Sequence, residues 1–140
     1  MAGCVPMTQT TINNLTFEIT EVAPSLNRLM RMHWAARRKL AKKWQWLIWL
    51  ETYGRGKPQF KGKVQVKILR RSRQTLDEDN LHGAAKVILD ALKVSKVIED
   101  DDPAHIALIC EQERGKPLTT IWVTSINALP RVNGSPGEPV

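Results

Sequence analysis

Asp77, Glu78 and Asp79, then Asn80, and about twenty residues later Asp100, Asp101 and Asp102 are the residues of this chain best suited to chemistry. Ten of its fourteen acidic residues fall between Asp77 and Glu113. Crowded carboxylates repel one another unless a cation sits among them, and a divalent metal is the usual solution. Carboxylate oxygens select a hard ion, Mg²⁺ with Mn²⁺ as a substitute, over zinc. One or two such ions activate water and support the leaving oxygen of a phosphodiester. An EF-hand is excluded, because the twelfth position counted from Asp77 is Ile88, where a bidentate Glu is required. Asp79, Gly83, Lys86 and Asp90 follow at helical spacing, on one face. A lysine side chain leans toward its helix N-terminus, so Lys86 aims at the carboxylates, where it would stabilise a phosphate or a developing oxyanion. The plainer reading of Lys86 is an ion pair with Asp90 on a solvated face.

Several elements must position these groups. Leu15, Phe17 and Ile19 alternate with polar residues and predict a strand. Pro24, Ser25, Leu26 and Asn27 end it and cap a helix from about Arg28 to Thr52, with Met30, Trp34, Ala41, Trp44 and Ile48 on its inner face. Trp46, Trp49 and Tyr53 form a second apolar face there, suited to a dimer interface ahead of base stacking, with unspecialised core an equal alternative to either. Val64, Val66 and Ile68 predict a strand whose other face, with Lys63 and Lys67, is wet and cationic. A helix over about 80–94 buries Leu81, Ala85, Ile88 and Leu92 and is capped by Asp79 or Asn80. Ile106, Leu108 and Cys110 begin a third strand, and Arg114 to Pro117 turn it into a fourth over 119–126.

The expected fold is therefore α+β, a single domain of order β-α-β-α-β-β with a mixed sheet, packed helices and a C-terminal hairpin. It occupies 14–128, between a flexible segment at 1–13 and a disordered, Pro- and Gly-rich tail at 129–140. A helix of about 15 residues spans roughly 22 Å. For Asp100 to Asp102 to join Asp77 and Asp79, the loop after the helix must fold back, or a dimer partner must supply the second cluster.

The remainder of the chain is cationic, with a formal net charge of +7 and a pI near 9.7. Fifteen of 21 Lys and Arg lie between Arg28 and Arg73, opposed there by Glu51 alone. This favours a polyanionic partner bound with strong salt dependence. Arg28, Arg31, Arg38 and Lys42 are candidate contacts to its anionic groups, and Arg70, Arg71 and Arg73, nearest the aspartates, are candidates for gripping it there. No apolar run approaches the roughly 20 residues of a membrane span. Cys4 and Cys110 make no disulfide framework, and the N-terminus lacks the apolar stretch of an export signal, so the expected setting is cytoplasmic.

Asp77-x-Asp79-Asn80-Leu81, Ala85-Lys86, Asp90-Ala91-Leu92, Val97-Ile98 and Asp100-Asp101, with Pro24 to Arg28 after the first strand, resemble the RusA family of Holliday-junction resolvases over about residues 15–126. The resemblance implies a homodimeric, Mg²⁺-dependent endonuclease that cuts four-way DNA junctions symmetrically. It also implies that the polyanionic partner is DNA and that the segment gripped near the aspartates is the scissile strand. It implies Asp77, Asp79 and Asp101 as metal ligands with Asp100 in support, and the triple Asp leaves Asp102 as an alternative to Asp101. Family members often carry Lys four residues after the second Asp; this chain has Gly83 there and Lys86 one helical turn further on. Two other readings are a non-catalytic DNA-binding protein of the same fold with an idle acidic pocket, and a metal-dependent transferase, which would lack a recognisable nucleotide-binding loop.

Overall fold

The computed structural model describes residues 14–56 and 58–126, so the segment at 1–13 and the tail at 129–140 lie outside the described residues. Strand β1 (Asn14–Ile19) is followed by helices α1 (Leu26–Arg31) and α2 (Trp34–Tyr53), strand β2 (Val64–Ser72), helix α3 (Glu78–Val94), and strands β3 (Ile106–Arg114) and β4 (Leu118–Ser125). The α+β class and the mixed four-stranded sheet are as expected.

Sheet order is β1-β4-β2-β3. β2 pairs with β3 in parallel, Val64 opposite Ile106, and α3 is the crossover between them. β4 runs antiparallel to both β1 and β2. The two C-terminal strands are antiparallel and joined by a short turn, as in the expected hairpin, but β2 lies between them. The turn passes over the end of β2, where the Gly115 amide donates to the Ser72 carbonyl at 3.0 Å.

Every strand sends alternate residues beneath the helices. Leu15, Phe17 and Ile19 from β1, Val64, Val66 and Ile68 from β2, and Ile121 and Val123 from β4 meet Trp44 and Ile48 of α2 and Ile88 and Leu92 of α3 in one core. Burying an aliphatic side chain of this size contributes about 1.5–3 kcal/mol. The opposite sheet face is wet. There Lys67 sits 5.0 Å over the Trp122 ring and 3.3 Å from Glu111, and Arg71 pairs with Glu113 at 2.6 Å.

The first helix is two helices, which corrects the single helix expected over 28–52. Met32 and His33 are extended, and the His33 ring nitrogen Nδ1 accepts from the Ala35 amide to cap α2. The break lets α1 turn onto α3, where a Cβ on Gly83 would lie 2.4 Å from the Leu26 Cβ. That approach needs glycine, because Leu26 Cβ is fixed to its backbone. It also takes Met30 and Trp34 off the expected inner stripe; they are 69% and 60% exposed. Among the described residues no helix is long and apolar enough to cross a membrane.

Candidate functional site

β2 ends at Ser72, and the chain reaches α3 through Leu76, which Gln112 of β3 clamps from both sides. Its amide donates to Leu76 O at 2.6 Å, and its carbonyl oxygen accepts from Leu76 N at 2.8 Å. Asp77 follows directly and caps α3, a role expected of Asp79 or Asn80. Its Oδ1 accepts from both the backbone and the side-chain amide of Asn80, each at 2.9 Å. Asn80 in turn accepts from the Asn27 amide at 2.8 Å, which ties the start of α1 to this corner. Capping engages one oxygen of Asp77 among the described contacts. Asp79 is exposed in the first turn, where the helix dipole favours its charge.

The second acidic cluster sits farther along the same helix. The loop after α3 folds back so that Asp101 Oδ2 lies 3.5 Å from Lys86 Nζ, which is also 3.6 Å from Asp90. Lys93 lies 3.1 Å from Asp100 and 3.8 Å from Asp101. The Asp101 side chain is only 19% exposed. Burial pushes the Asp90 carboxyl above its ordinary range; the Lys86 ammonium opposes this, and a hydrogen bond with Asp101 adds to it. Asp100 is held below its ordinary range by the Asp101 amide, donating at 2.7 Å, and by Lys93. Asp102 accepts from the His105 backbone at 3.0 Å and lies 2.6 Å from its ring, which raises the His105 pKa.

The structure thus brings Lys86 to Asp101, and it places Asp77, Asp79 and Asn80 at the other end of α3. The helical rise from Asp79 to Asp90 is about 16 Å. The expected set of Asp77, Asp79, Asp100 and Asp101 does not converge on one point within a single chain. Among the described residues, the acidic and histidine side chains whose ligand atoms all lie within 4.8 Å are Asp100, Asp102 and His105. The physical reason is the parallel pairing of β2 with β3. β3 must start beside Val64, so the preceding loop belongs at the C-terminal end of α3. Val97 and Ile98 pin it there by burial, with Val97 N bonded to Leu92 O and Phe60 N to Val97 O.

Of the expected DNA contacts, two are engaged internally. Arg70 donates to the Ala23 and Gln74 carbonyls at 3.4 Å, and its burial lowers its pKa. Arg71 is held by Glu113 across the strands. Arg28, Lys43 and Arg70 nevertheless line a cleft of about 430 Å³ that reaches Ser72, Gln74 and Leu76, just before Asp77. Lys43 pairs there with Glu21. Arg31, Arg38 and Lys42 on the first two helices are exposed, as is Arg73 after β2, with Arg38 stacked 5.3 Å from the Trp34 ring.

Sequence reasoning missed Asp90 as a partner of Asp101, although its spacing from Lys86 was visible. It also missed Lys93 and the Gln112 clamp, which depend on tertiary placement and leave no local signal. Gly83 has a structural explanation. Leu26 fills the space that a side chain at 83 would need.

No protein-family model matches this chain, and no curated protein matches it.

Proposed function

We propose that this chain is a Mg²⁺-dependent, structure-specific endodeoxyribonuclease of the RusA type, acting as a homodimer on four-way (Holliday) junctions by paired phosphodiester hydrolysis. The observation that carries the reading is the return of Asp101, from a loop beyond the helix, onto the same α3 face as Lys86 and Asp90. That face bears carboxylates at both ends and an ammonium between them.

The donor chemistry fits a hard divalent ion. Among the described residues Asp100, Asp102 and His105 form the group whose ligand atoms lie within 4.8 Å of one another; Asp101 beside Asp90, and Asp79 with the second oxygen of Asp77, would add carboxylate oxygens along α3. Bound Mg²⁺ would supply polarisation of a phosphoryl oxygen and a water of lowered pKa. Lys86 neutralises Asp101 and Asp90 in the chain as it stands. The same ammonium would be placed to hold a non-bridging phosphate oxygen of a strand laid along α3. Arg28 and Arg70, in the cleft beside Leu76, would orient the strand approaching Asp77. A two-fold dimer is required by this reading to bring the N-terminal pair of one protomer toward the fold-back cluster of the other. It would also present two sites to a junction of the same symmetry.

The test is a time course on a synthetic four-way junction and on linear duplex, with Mg²⁺ or with chelator. Paired nicks on the junction alone are expected, and Asp79→Asn and Asp101→Asn should each slow them by more than about a hundredfold while DNA binding persists. Junction binding without cleavage under any divalent ion would instead establish the non-catalytic DNA-binding protein with an idle acidic pocket.

A further inference from the structure

Lys39, Lys42, Trp46, Trp49 and Tyr53 follow on α2 at spacings of three, four, three and four, so they form one stripe, opposite the buried Trp44 and Ile48. Over this stripe the helix rises about 21 Å. Lys39, Lys42, Trp46 and Tyr53 are exposed and Trp49 is half-buried. The rings are stacked in order. Trp46 and Trp49 have centroids 5.3 Å apart at 15°, and Trp49 and Tyr53 are 4.8 Å apart at 23°. Trp49 is therefore covered on both faces, while Trp46, 57% exposed, ends the ladder on the side of the lysines. The sole acid of the helix, Glu51, lies off this stripe and faces Arg55 at 3.9 Å.

An aromatic ladder alone suits any flat apolar partner. A ladder continued by cations, with no carboxylate among them, suits a partner that carries rings and anions at alternating intervals. A second copy of the chain would gather four lysines onto one contact, with no carboxylate on either stripe to neutralise them. A nucleic-acid strand meets both halves at once, since every base has a π-face and every nucleotide a phosphate.

We propose that the α2 stripe binds an unpaired segment of single-stranded DNA, one base stacking on the outer face of Trp46 and the adjoining phosphates resting on Lys42 and Lys39. The partner class rests on the DNA-cleaving reading above, in which arms opened at a branch point supply unpaired strand. The stripe shares no residue with the acidic ridge of α3.

The experiment is fluorescence anisotropy of a labelled oligothymidylate with the full chain, without divalent ion and across a salt series, with molecular mass measured by light scattering at the same concentrations. Trp46→Ala should weaken binding about tenfold, and Trp46→Phe should restore most of it. Lys39→Gln with Lys42→Gln should reduce the slope of log affinity against log salt by about one to one and a half. Unfolding transitions should be unchanged, since all three side chains are exposed. The proposal is overturned if the wild-type chain does not bind the oligonucleotide at low salt, or if Trp46→Ala leaves affinity intact. It is also overturned if Trp46→Ala lowers the mass, because a second copy would then cover the face. Oligonucleotide binding with no junction cleavage would remove the nuclease reading and leave this surface standing; cleavage with no effect at Trp46 would do the reverse.

Discussion

Helices α2 and α3 lie side by side under one sheet and use their surfaces in opposite ways. α3 buries Leu81, Ala84, Ala85, Ile88, Leu89, Ala91 and Leu92 along a continuous apolar stripe and carries its acids outside. α2 is longer, yet buries only Trp44, Ile48 and Thr52 and exposes Trp34, Trp46, Leu50 and Tyr53 among its cations. A helix needs only a narrow seam to be held, so what lies beyond that seam is open to other uses. α3 spends its surface on the core and on a charged ridge, and α2 leaves most of its circumference to solvent or to a partner.

The contrast is broken most forcefully by truncating one leucine on each helix. Leu92→Ala on α3 should cost about 2–5 kcal/mol, as expected for a fully buried leucine. Leu50→Ala on α2 should stay within about 0.5 kcal/mol. Chemical unfolding of both variants reads the difference directly, and equal losses would mean that α2 is held as tightly as α3.

A smaller effect is expected where α1 meets α3. Gly83→Ala gains about 1 kcal/mol of helix propensity but forces a Cβ into Leu26, and overpacking of this kind costs about 1–3 kcal/mol. A net loss of about 1 kcal/mol is expected, and Leu26→Ala in the same background should not restore it, because the Leu26 Cβ that the new methyl meets is kept. A stabilised Gly83→Ala would show that α1 is free to shift.

The smallest effect is a pH dependence on the acidic ridge. Burial and the neighbouring Asp101 raise the Asp90 pKa in the folded chain, so the folded state holds this proton more tightly than the unfolded one. The contribution of Asp90 to stability is therefore greatest below the ordinary carboxylate range and is lost as pH rises through its folded pKa. Asp90→Asn should be slightly more stable than the wild type at neutral pH and indistinguishable from it in acid, measured by urea unfolding across a pH series. A variant less stable at neutral pH would mean that the pair with Lys86 outweighs burial.

The sequence showed the elements more clearly than their arrangement. The alternation of Leu15, Phe17 and Ile19 and the stripe of Leu81, Ile88 and Leu92 correspond to β1 and α3 almost residue for residue. The break at Met32 and His33 was not visible, since no proline or glycine marks it and the apolar period runs through. Gly115 and Pro117 signal a turn whether or not a third strand passes between the two they join. The aspartates were legible as a group, but their relative placement depends on the parallel pairing of β2 with β3, which no local pattern encodes. Val97 and Ile98 were the available hint, because two apolar residues in a loop ask to be buried and so anchor it.

The sheet order has a consequence for how the chain is made. Among the described residues β1 bonds to β4 alone, with Asn14 opposite Thr124. β1, the first of the described strands to be synthesised, therefore waits for its described neighbour until β4 has been made. Its slot is completed only when β4 threads back along β2, so closure of this sheet couples the two ends of the domain in a single late step, of the slow kind that distant pairings impose.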